Sequence, residues 1–297
     1  MNKKLISALA EIRDIRLSEN EPMSKHTTFK IGGPAKVFVE IKSLDAAIKT
    51  FEVLNGFETK PTVIGNGSNL LFSDEVFDGV VIKLSCNKIS VEENTLHADA
   101  GALLSVASVC ALKSSLSGLE FAQGIPGSIG GALVMNAGAY GSEISDILVK
   151  STYLYNGKVF DLTRDGHDFS YRESFYKKNP GSFILSAEFE LRRGDPERIA
   201  ADMKELATRR REKQPLEFPS AGSVFKRPVG YFAGALIEQC NLKGFSIGGA
   251  QVSEKHAGFI INRGGATADD VKKLISHIQE TVLKETGVSL ECEICIL

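Results

Sequence analysis

The sequence predicts an α+β protein, and three observations carry that prediction. β-rich runs and helical periods alternate irregularly, without the strict strand–helix repeat of a parallel α/β sheet. The 297 residues are 43% hydrophobic and 24% charged, enough apolar material for a sizeable core and enough length for roughly two domains of about 150 residues. Gly194-Asp195-Pro196 breaks the pattern and places a domain boundary near residue 194.

Taken in order, Leu5 to Ala10 after Lys3 and Lys4 imitates a signal peptide, but the apolar stretch is short and Glu11, Arg13 and Asp14 follow at once. An amphipathic first helix is expected instead. Residues 36–41, 62–64 and 80–84 read as strands. Ser43 is placed to cap a helix with Leu44, Ile48 and Phe51 on one face, closed by Gly56. A second helix is expected from about Leu103 to Leu116, with Gly118 just past its end. Residues 147–162 and 183–191 again read as strands. Asp195 suits an N-cap and Pro196 the first helical position, with Ile199, Met203 and Leu206 turned inward. Arg209-Arg210-Arg211 then falls where a helix dipole favours cations, and reads as a solvated helix end rather than a nucleic-acid patch. A last helix starts at Thr267 with Asp270 in capping-box position; its buried stripe is Val271, Leu274, Ile275, Ile278, Val282 and Leu283, and Gly287 ends it. A strand from about Val288 to Leu297 closes the chain, with Leu290, Cys292, Ile294 and Ile296 on one face and Glu291, Glu293, Cys295 and Leu297 on the other.

Charge narrows the function classes. With 35 Lys+Arg against 37 Asp+Glu, the net charge is −2, which argues against a protein that lives on nucleic acid or an anionic membrane. No run approaches the roughly 20 apolar residues of a membrane span. Five cysteines, an odd number at irregular spacing, form no disulfide framework and point to the cytoplasm. Cys292 and Cys295 lie three apart on a predicted strand, so their thiols diverge, and the five histidines form no ligand pair; a metal is not expected.

Two glycine loops stand out. Gly65-Asn66-Gly67-Ser68-Asn69 follows the 62–64 strand, and small residues there let backbone amides approach phosphate oxygens. An ordinary tight turn is the competing reading. Residues 124–141 hold six glycines in 18 positions, where 28 in 297 predicts about 1.7. Such density suits main chain laid against a bulky flat ligand, and Ala132, Asn136, Ala137 and Ala139 keep the stretch small-surfaced. Neither the dinucleotide G-x-G-x-x-G nor a P-loop is present, so two phosphate-friendly loops without either motif suggest a long, extended cofactor.

These loops, with Ile125-Pro126, Ser128, Gly130-Gly131-Ala132 and Met135 to Gly141, resemble the FAD-binding domain of the UDP-N-acetylenolpyruvoylglucosamine reductase (MurB) family. Thr27 to Ala35 is similar to that family's opening motif, Tyr171-Arg172-Glu173-Ser174 to its Tyr-Arg-x-Ser, and Ala221 to Pro228 to its serine segment. Gly248 to Ala257 and Leu290 to Glu293 resemble its last blocks, although the family's Glu-Val-Arg reads Glu293-Ile294-Cys295 here.

The resemblance implies a two-lobed FAD-binding domain of the PCMH/VAO-like kind over residues 1–194 (lobes of about 1–85 and 86–194) and an α+β substrate-binding domain over 195–297. It implies NADPH and non-covalent FAD as cofactors, a UDP-sugar enolpyruvyl ether as substrate, and the subtype lacking an extra substrate-closing loop. A monomer is expected, with no nucleic-acid or membrane partner. FAD is expected at Gly65, Asn66, Gly67, Ser68, Asn69, Gly124, Ile125, Pro126, Gly127, Ser128, Gly130, Gly131, Ala132, Asn136, Gly138 and Ala139.

Hydride addition beside a carboxylate needs a cation at that carboxylate and a proton donor. Arg172 suits the first role, since a guanidinium holds a carboxylate bidentately and never loses its charge; the ordinary alternative is a surface ion pair. Ser223 suits the second, after the flexible Ala221-Gly222; the alternative is a turn residue bonded to backbone. Glu293 is selected by the resemblance over Glu291 as an acid or electrostatic partner. Tyr171, Lys226, Gln251, Lys255 and His256 are the substrate-binding candidates, the lysines for a pyrophosphate. Two further readings stay open: another flavin oxidoreductase on the same FAD domain, with covalently held flavin, and a non-catalytic nucleotide-sugar binder.

Overall fold

A computed structural model of the chain describes residues 2–297. The chain divides into two compact units by packing: Met1–Glu19, Val37–Asn66 and Gly79–Arg209 form the first, and Asn20–Lys36, Gly67–Asp78 and Arg210–Leu297 the second. A single cut near residue 194 does not reproduce these units, because two early segments pack with the C-terminal residues.

In the first unit, Thr62–Ile64 runs parallel to Phe77–Leu84 in a four-stranded sheet with Pro34–Ile41 and Ile15–Pro22. Leu44–Gly56 begins where Ser43 accepts a hydrogen bond from the Ala46 amide at 3.2 Å, and it buries Ala47, Phe51 and Leu54. A second sheet has the order Lys158–Thr163, Leu148–Tyr155, Phe183–Glu190, Thr95–Asp99, Ile89–Glu92, antiparallel throughout. The 147–162 run is therefore a hairpin of two strands, turned at Asn156-Gly157 with φ of +48° and +74°. The expected 103–116 helix is shorter, Leu104–Lys113. Ser115 takes a left-handed φ of +54° and ends it, freeing Leu116–Ser117 to pair with Arg192–Arg193; Gly118 is not its cap.

In the second unit, Ser220–Ser223, Phe259–Asn262, Ala250–Val252 and Ser246–Ile247 form an antiparallel sheet in that order. Ala268–Thr286 packs Val271, Leu274, Ile275, Ile278 and Val282 into one core with Phe29, Ile31, Leu71, Val224, Phe225 and Ile260. Leu283 is 51% exposed and falls outside the stripe expected for it, beyond the face that meets the sheet. The capping box forms: Thr267 Oγ1 accepts from the Asp270 amide at 3.0 Å and Asp270 accepts from the Thr267 amide at 3.0 Å. A second cap comes from afar, since the Asp74 carboxylate accepts from the Ala268 amide at 2.7 Å. The Thr267 amide, with the Gly249 amide, holds the Asp270 carboxyl below the usual range. The expected 288–297 strand reduces to a bridge between Cys292 and Phe225 and a two-residue strand, Cys295–Ile296, parallel to Leu70–Leu71. A bend at Ile294 breaks the alternation, so Leu290 and Ile294 are buried while Ile296 is exposed.

Candidate active site

In the first unit the two glycine loops meet. Asn66 Nδ2 donates to the Pro126 carbonyl at 2.7 Å. A Cβ on Gly65 would lie 2.2 Å from Ser128 Oγ, so no other residue allows this approach unchanged. Ser128 is buried and caps Ile129–Val134, its Oγ accepting from the Gly131 amide at 3.2 Å. The following amides are committed as well: Ile129 N–H donates to Ala102 and Gly130 N–H to Ala100, both at 2.8 Å. Gly130 is also spaced against Ala100, whose Cβ would lie 3.2 Å from an added methyl.

Part of the glycine density is therefore explained by the close approach of one strip of backbone to another. Gly124, with φ of +81°, and Pro126 remain exposed at the rim. Asn136 is fully buried with φ of +40° and spends its side chain on protein: it donates to Glu143 Oε1 at 2.8 Å and to the Ser170 carbonyl at 3.3 Å, and accepts from the Ser145 amide at 3.0 Å. Gly138 and Ala139 lie in a small hairpin against Ser142 and Glu143. What fits an extended cofactor here is the junction itself, where Gly65 and Gly131 carry no side chain.

Arg172 sits on a tight turn of the same unit. Ser170 and Glu173 exchange backbone hydrogen bonds at 3.2 and 3.1 Å, leaving Tyr171 and Arg172 at the tip. Arg172 holds φ of +59°, a costly conformation for a bulky side chain and one that clusters at functional sites. Its guanidinium carbon lies 5.0 Å from the Tyr171 ring centroid. Lys177 Nζ donates to the Arg172 carbonyl at 2.9 Å and to Glu173 at 2.7 Å.

The second unit gathers the other candidates. Gly67 takes φ of +65° with the His26 carbonyl where its Cβ would be, and its own carbonyl accepts from the Thr28 amide at 3.2 Å. Asn69 Nδ2 donates to the Glu293 carbonyl at 3.2 Å. The Glu293 amide donates to Val224 at 2.7 Å and the Lys226 amide to Glu291 at 2.8 Å, so the last residues run beside Ser223 to Lys226. Lys226 pairs with the exposed Glu291. Ser223 is half-buried, follows Gly222 at φ of +79°, and donates to the Phe225 carbonyl at 3.2 Å.

His256 Nδ1 accepts from the Gly258 amide at 3.1 Å, which fixes the neutral ring with its proton on Nε2; burial lowers its pKa. Gly258 separates the two side chains: an added Cβ would lie 3.1 Å from His256 Cε1 and 3.6 Å from Ser223 Oγ. Gln251 spends its amide on Gly244 and Ser246. Lys255 faces Glu217 at 3.7 Å. A cavity of about 350 Å³ opens nearby, lined by Glu217, Phe218, Gln251, Lys255 and Arg263 among others. Arg263, 4.9 Å from the Phe218 centroid, is a cation that sequence reasoning missed; only its place after Asn262 and before Gly264-Gly265 hinted at it.

Comparisons with known proteins place the chain in a family. Residues 35–163 match the family model described as an FAD binding domain, and residues 214–297 match the C-terminal domain of UDP-N-acetylenolpyruvoylglucosamine reductase. The chain is 47% identical to the UDP-N-acetylenolpyruvoylglucosamine reductase of Agathobacter rectalis, over 99% of this chain and 98% of that one. It is 49% identical to the enzyme of the same name from Caldanaerobacter subterraneus, over 100% and 99%. The crystal structure of the reductase from Thermus caldophilus superposes with a TM-score of 0.82 at 32% identity, covering 95% of this chain and 98% of that one. The glycine loops, the Tyr171-Arg172 turn and the Ser223 segment thus stand in a chain that belongs to the UDP-N-acetylenolpyruvoylglucosamine reductase family.

Proposed function

We propose that this chain reduces the enolpyruvyl ether of UDP-N-acetylglucosamine to UDP-N-acetylmuramate with NADPH, a step of peptidoglycan precursor synthesis carried out in the cytoplasm. The observation that carries the reading is the meeting of the two glycine loops at Gly65 and Ser128, within the stretch that matches an FAD binding domain. FAD, when bound, supplies hydride transfer between the nicotinamide and the enol ether. Main chain at Gly65-Asn66 and at 124–131 would hold it. The flavin portion is read as residues 1–194 and the substrate portion as 195–297, a division by task that differs from the packing units, in which residues 20–36 and 67–78 go with the C-terminal residues.

The residues then have separable tasks. Arg172 holds the substrate carboxylate through two parallel N–H···O bonds and stabilises the charge that builds there as hydride arrives at the neighbouring double bond. Ser223 Oγ gives its proton to the carbon beside that carboxylate. A serine hydroxyl is a weak acid, so the transfer requires a strongly basic enolate carbon, toward which the hydroxyl turns from the Phe225 carbonyl that it meets at 3.2 Å. Glu293, carried on the segment that Asn69 and Val224 hold, is the acid or electrostatic partner. His256 offers the Nε2 proton as a fixed donor, and Lys226 and Lys255 supply cations for the pyrophosphate.

Ser223→Ala tests this. Flavin reduction by NADPH stays near the wild-type rate, while reoxidation by the enolpyruvyl substrate slows by about 100-fold or more, as for loss of a general acid. Equal slowing of both half-reactions would overturn the role of Ser223. Denaturation releases the yellow colour from the chain; colour that stays bound would favour the covalent-flavin alternative.

A further inference from the structure

A group of three buried polar side chains in the first unit has no part in the reaction just described. Ser151, His167 and Tyr176 are exposed by 0%, 0% and 3%. Ser151 lies on Leu148–Tyr155, which is paired on both sides, opposite Leu162 on one neighbour and Ala187 on the other. Its hydroxyl is within hydrogen-bond reach of His167 Nε2 at 2.8 Å and also meets the Tyr176 hydroxyl. His167 Nδ1 lies 2.8 Å from the Thr163 carbonyl.

A carbonyl only accepts, so Nδ1 carries the ring proton and donates to Thr163. Nε2 of the neutral ring then accepts from the Ser151 hydroxyl, and the Ser151 oxygen accepts from Tyr176. One direction of donation satisfies every atom, and Ser151 is the hub through which both other groups are satisfied.

Residues 167 and 176 are the two ends of the segment that carries Tyr171 and Arg172 at its tip. Asp168, one residue inside it, pairs with Lys178, two residues past its far end, and Phe169 stacks on His167, 4.9 Å between centroids. Ser174 Oγ adds a 2.8 Å bond to the Val134 carbonyl. We propose that Ser151, through His167 and Tyr176, is a positioning residue that clamps both ends of this segment to the central strand and so holds Arg172 in its left-handed conformation at the tip. The proposal rests on the reading of Arg172 as the carboxylate-binding residue.

The test uses the full-length holoenzyme and its Ser151→Ala, Ser151→Thr, Tyr176→Phe and Arg172→Ala variants. Ser151→Ala speeds hydrogen exchange of the amides of residues 168–175. It also lowers the maximal rate of flavin reoxidation by the UDP-sugar about 10- to 100-fold, the cost of an ångström-scale misplacement. Flavin content and the rate of flavin reduction by NADPH stay at the wild-type level. Ser151→Thr, which keeps the hydroxyl, recovers most of the loss. In the Arg172→Ala background, Ser151→Ala slows reoxidation no further. If Ser151→Ala does not fold, Tyr176→Phe carries the same test with the ring shape kept. Unchanged exchange at 168–175, or equal slowing of both half-reactions, overturns the clamp. If Arg172→Ala itself leaves reoxidation unchanged, the assignment of Arg172 falls, and the clamp is then judged by the exchange data alone.

Discussion

Replacing Gly65 by alanine isolates the contact on which the cofactor reading depends. Gly65 has no left-handed φ, so alanine is tolerated by the backbone and by itself would stabilise slightly through the unfolded chain, by about 0.4–1 kcal/mol. The obstacle is Ser128 Oγ, 2.2 Å from the new methyl; Ser128 Cβ is at 3.4 Å and the Gly131 amide nitrogen at 3.9 Å, both tolerable. The least costly relief is rotation of the Ser128 side chain, which forfeits its cap on Gly131. That loss is worth about 1 kcal/mol, within a range of roughly 0.5–2. Gly65→Ala therefore destabilises by the difference, about 0–0.6 kcal/mol in urea unfolding, and weakens flavin retention. Ser128→Ala alone costs about 1 kcal/mol by the same cap. In the double variant the methyl meets no hydroxyl, so adding Gly65→Ala to Ser128→Ala recovers the gain of about 0.4–1 kcal/mol. The coupling is then about 1 kcal/mol or more, well above the scatter of independent sites. Additive effects would show that the loops do not meet through this hydroxyl.

Other outcomes follow from features already described. Asp74→Ala removes the distant cap on Ala268–Thr286 and lowers stability by about 1 kcal/mol, while Asp74→Asn, which keeps an acceptor oxygen, loses less; an unchanged urea midpoint in Asp74→Ala would exclude the contribution. Burial lowers the pKa of His167 and His256 from 6.5, so between the folded values and 6.5 the unfolded chain binds more protons. Stability is thus full above about pH 6.5 and declines as the pH falls below it; a His167→Gln/His256→Gln variant with the same slope as wild type would show other groups at work. Arg172→Lys keeps the charge but not the bidentate geometry, and slows reoxidation of flavin by substrate while sparing its reduction by NADPH; equal rates in both half-reactions would remove Arg172 from the carboxylate.

The legible parts of the sequence are those whose signals are local. Ser43, the Thr267–Asp270 box and Gly287 each act within one helical turn, and each forms as spacing alone implies. Asn156-Gly157 also carries a local hairpin signal, which divides what reads as one β-rich run. Gly118 misleads because Ser115 takes the left-handed position first, a choice that serine does not advertise. The C-terminal alternation fails at Ile294, where the segment leaves Phe225 for Leu70–Leu71, and period-2 reasoning has no means to see a change of partner. In the site, the residue types at Arg172 and Ser223 were visible, but the strained φ of Arg172 was not. Asp74 lies 194 residues from the amide it caps, and Ser151 lies 25 from Tyr176; such pairings exist only once the fold has formed. The glycine density points to a ligand, yet Gly65 and Gly130 are also required by Ser128 and Ala100.

The assignment of residues 20–36 and 67–78 to the C-terminal unit bears on how the polypeptide is made and how it can be cut. Phe29, Ile31 and Leu71 share their core with the last long helix, and Asn262 Nδ2 donates to the Phe29 carbonyl at 3.1 Å. During synthesis these early apolar side chains leave the ribosome long before their neighbours, and must be shielded until Ala268–Thr286 emerges. A fragment beginning at residue 214 would carry an open hydrophobic wound where they belong, so the boundary drawn by sequence matching is no place to divide the gene product.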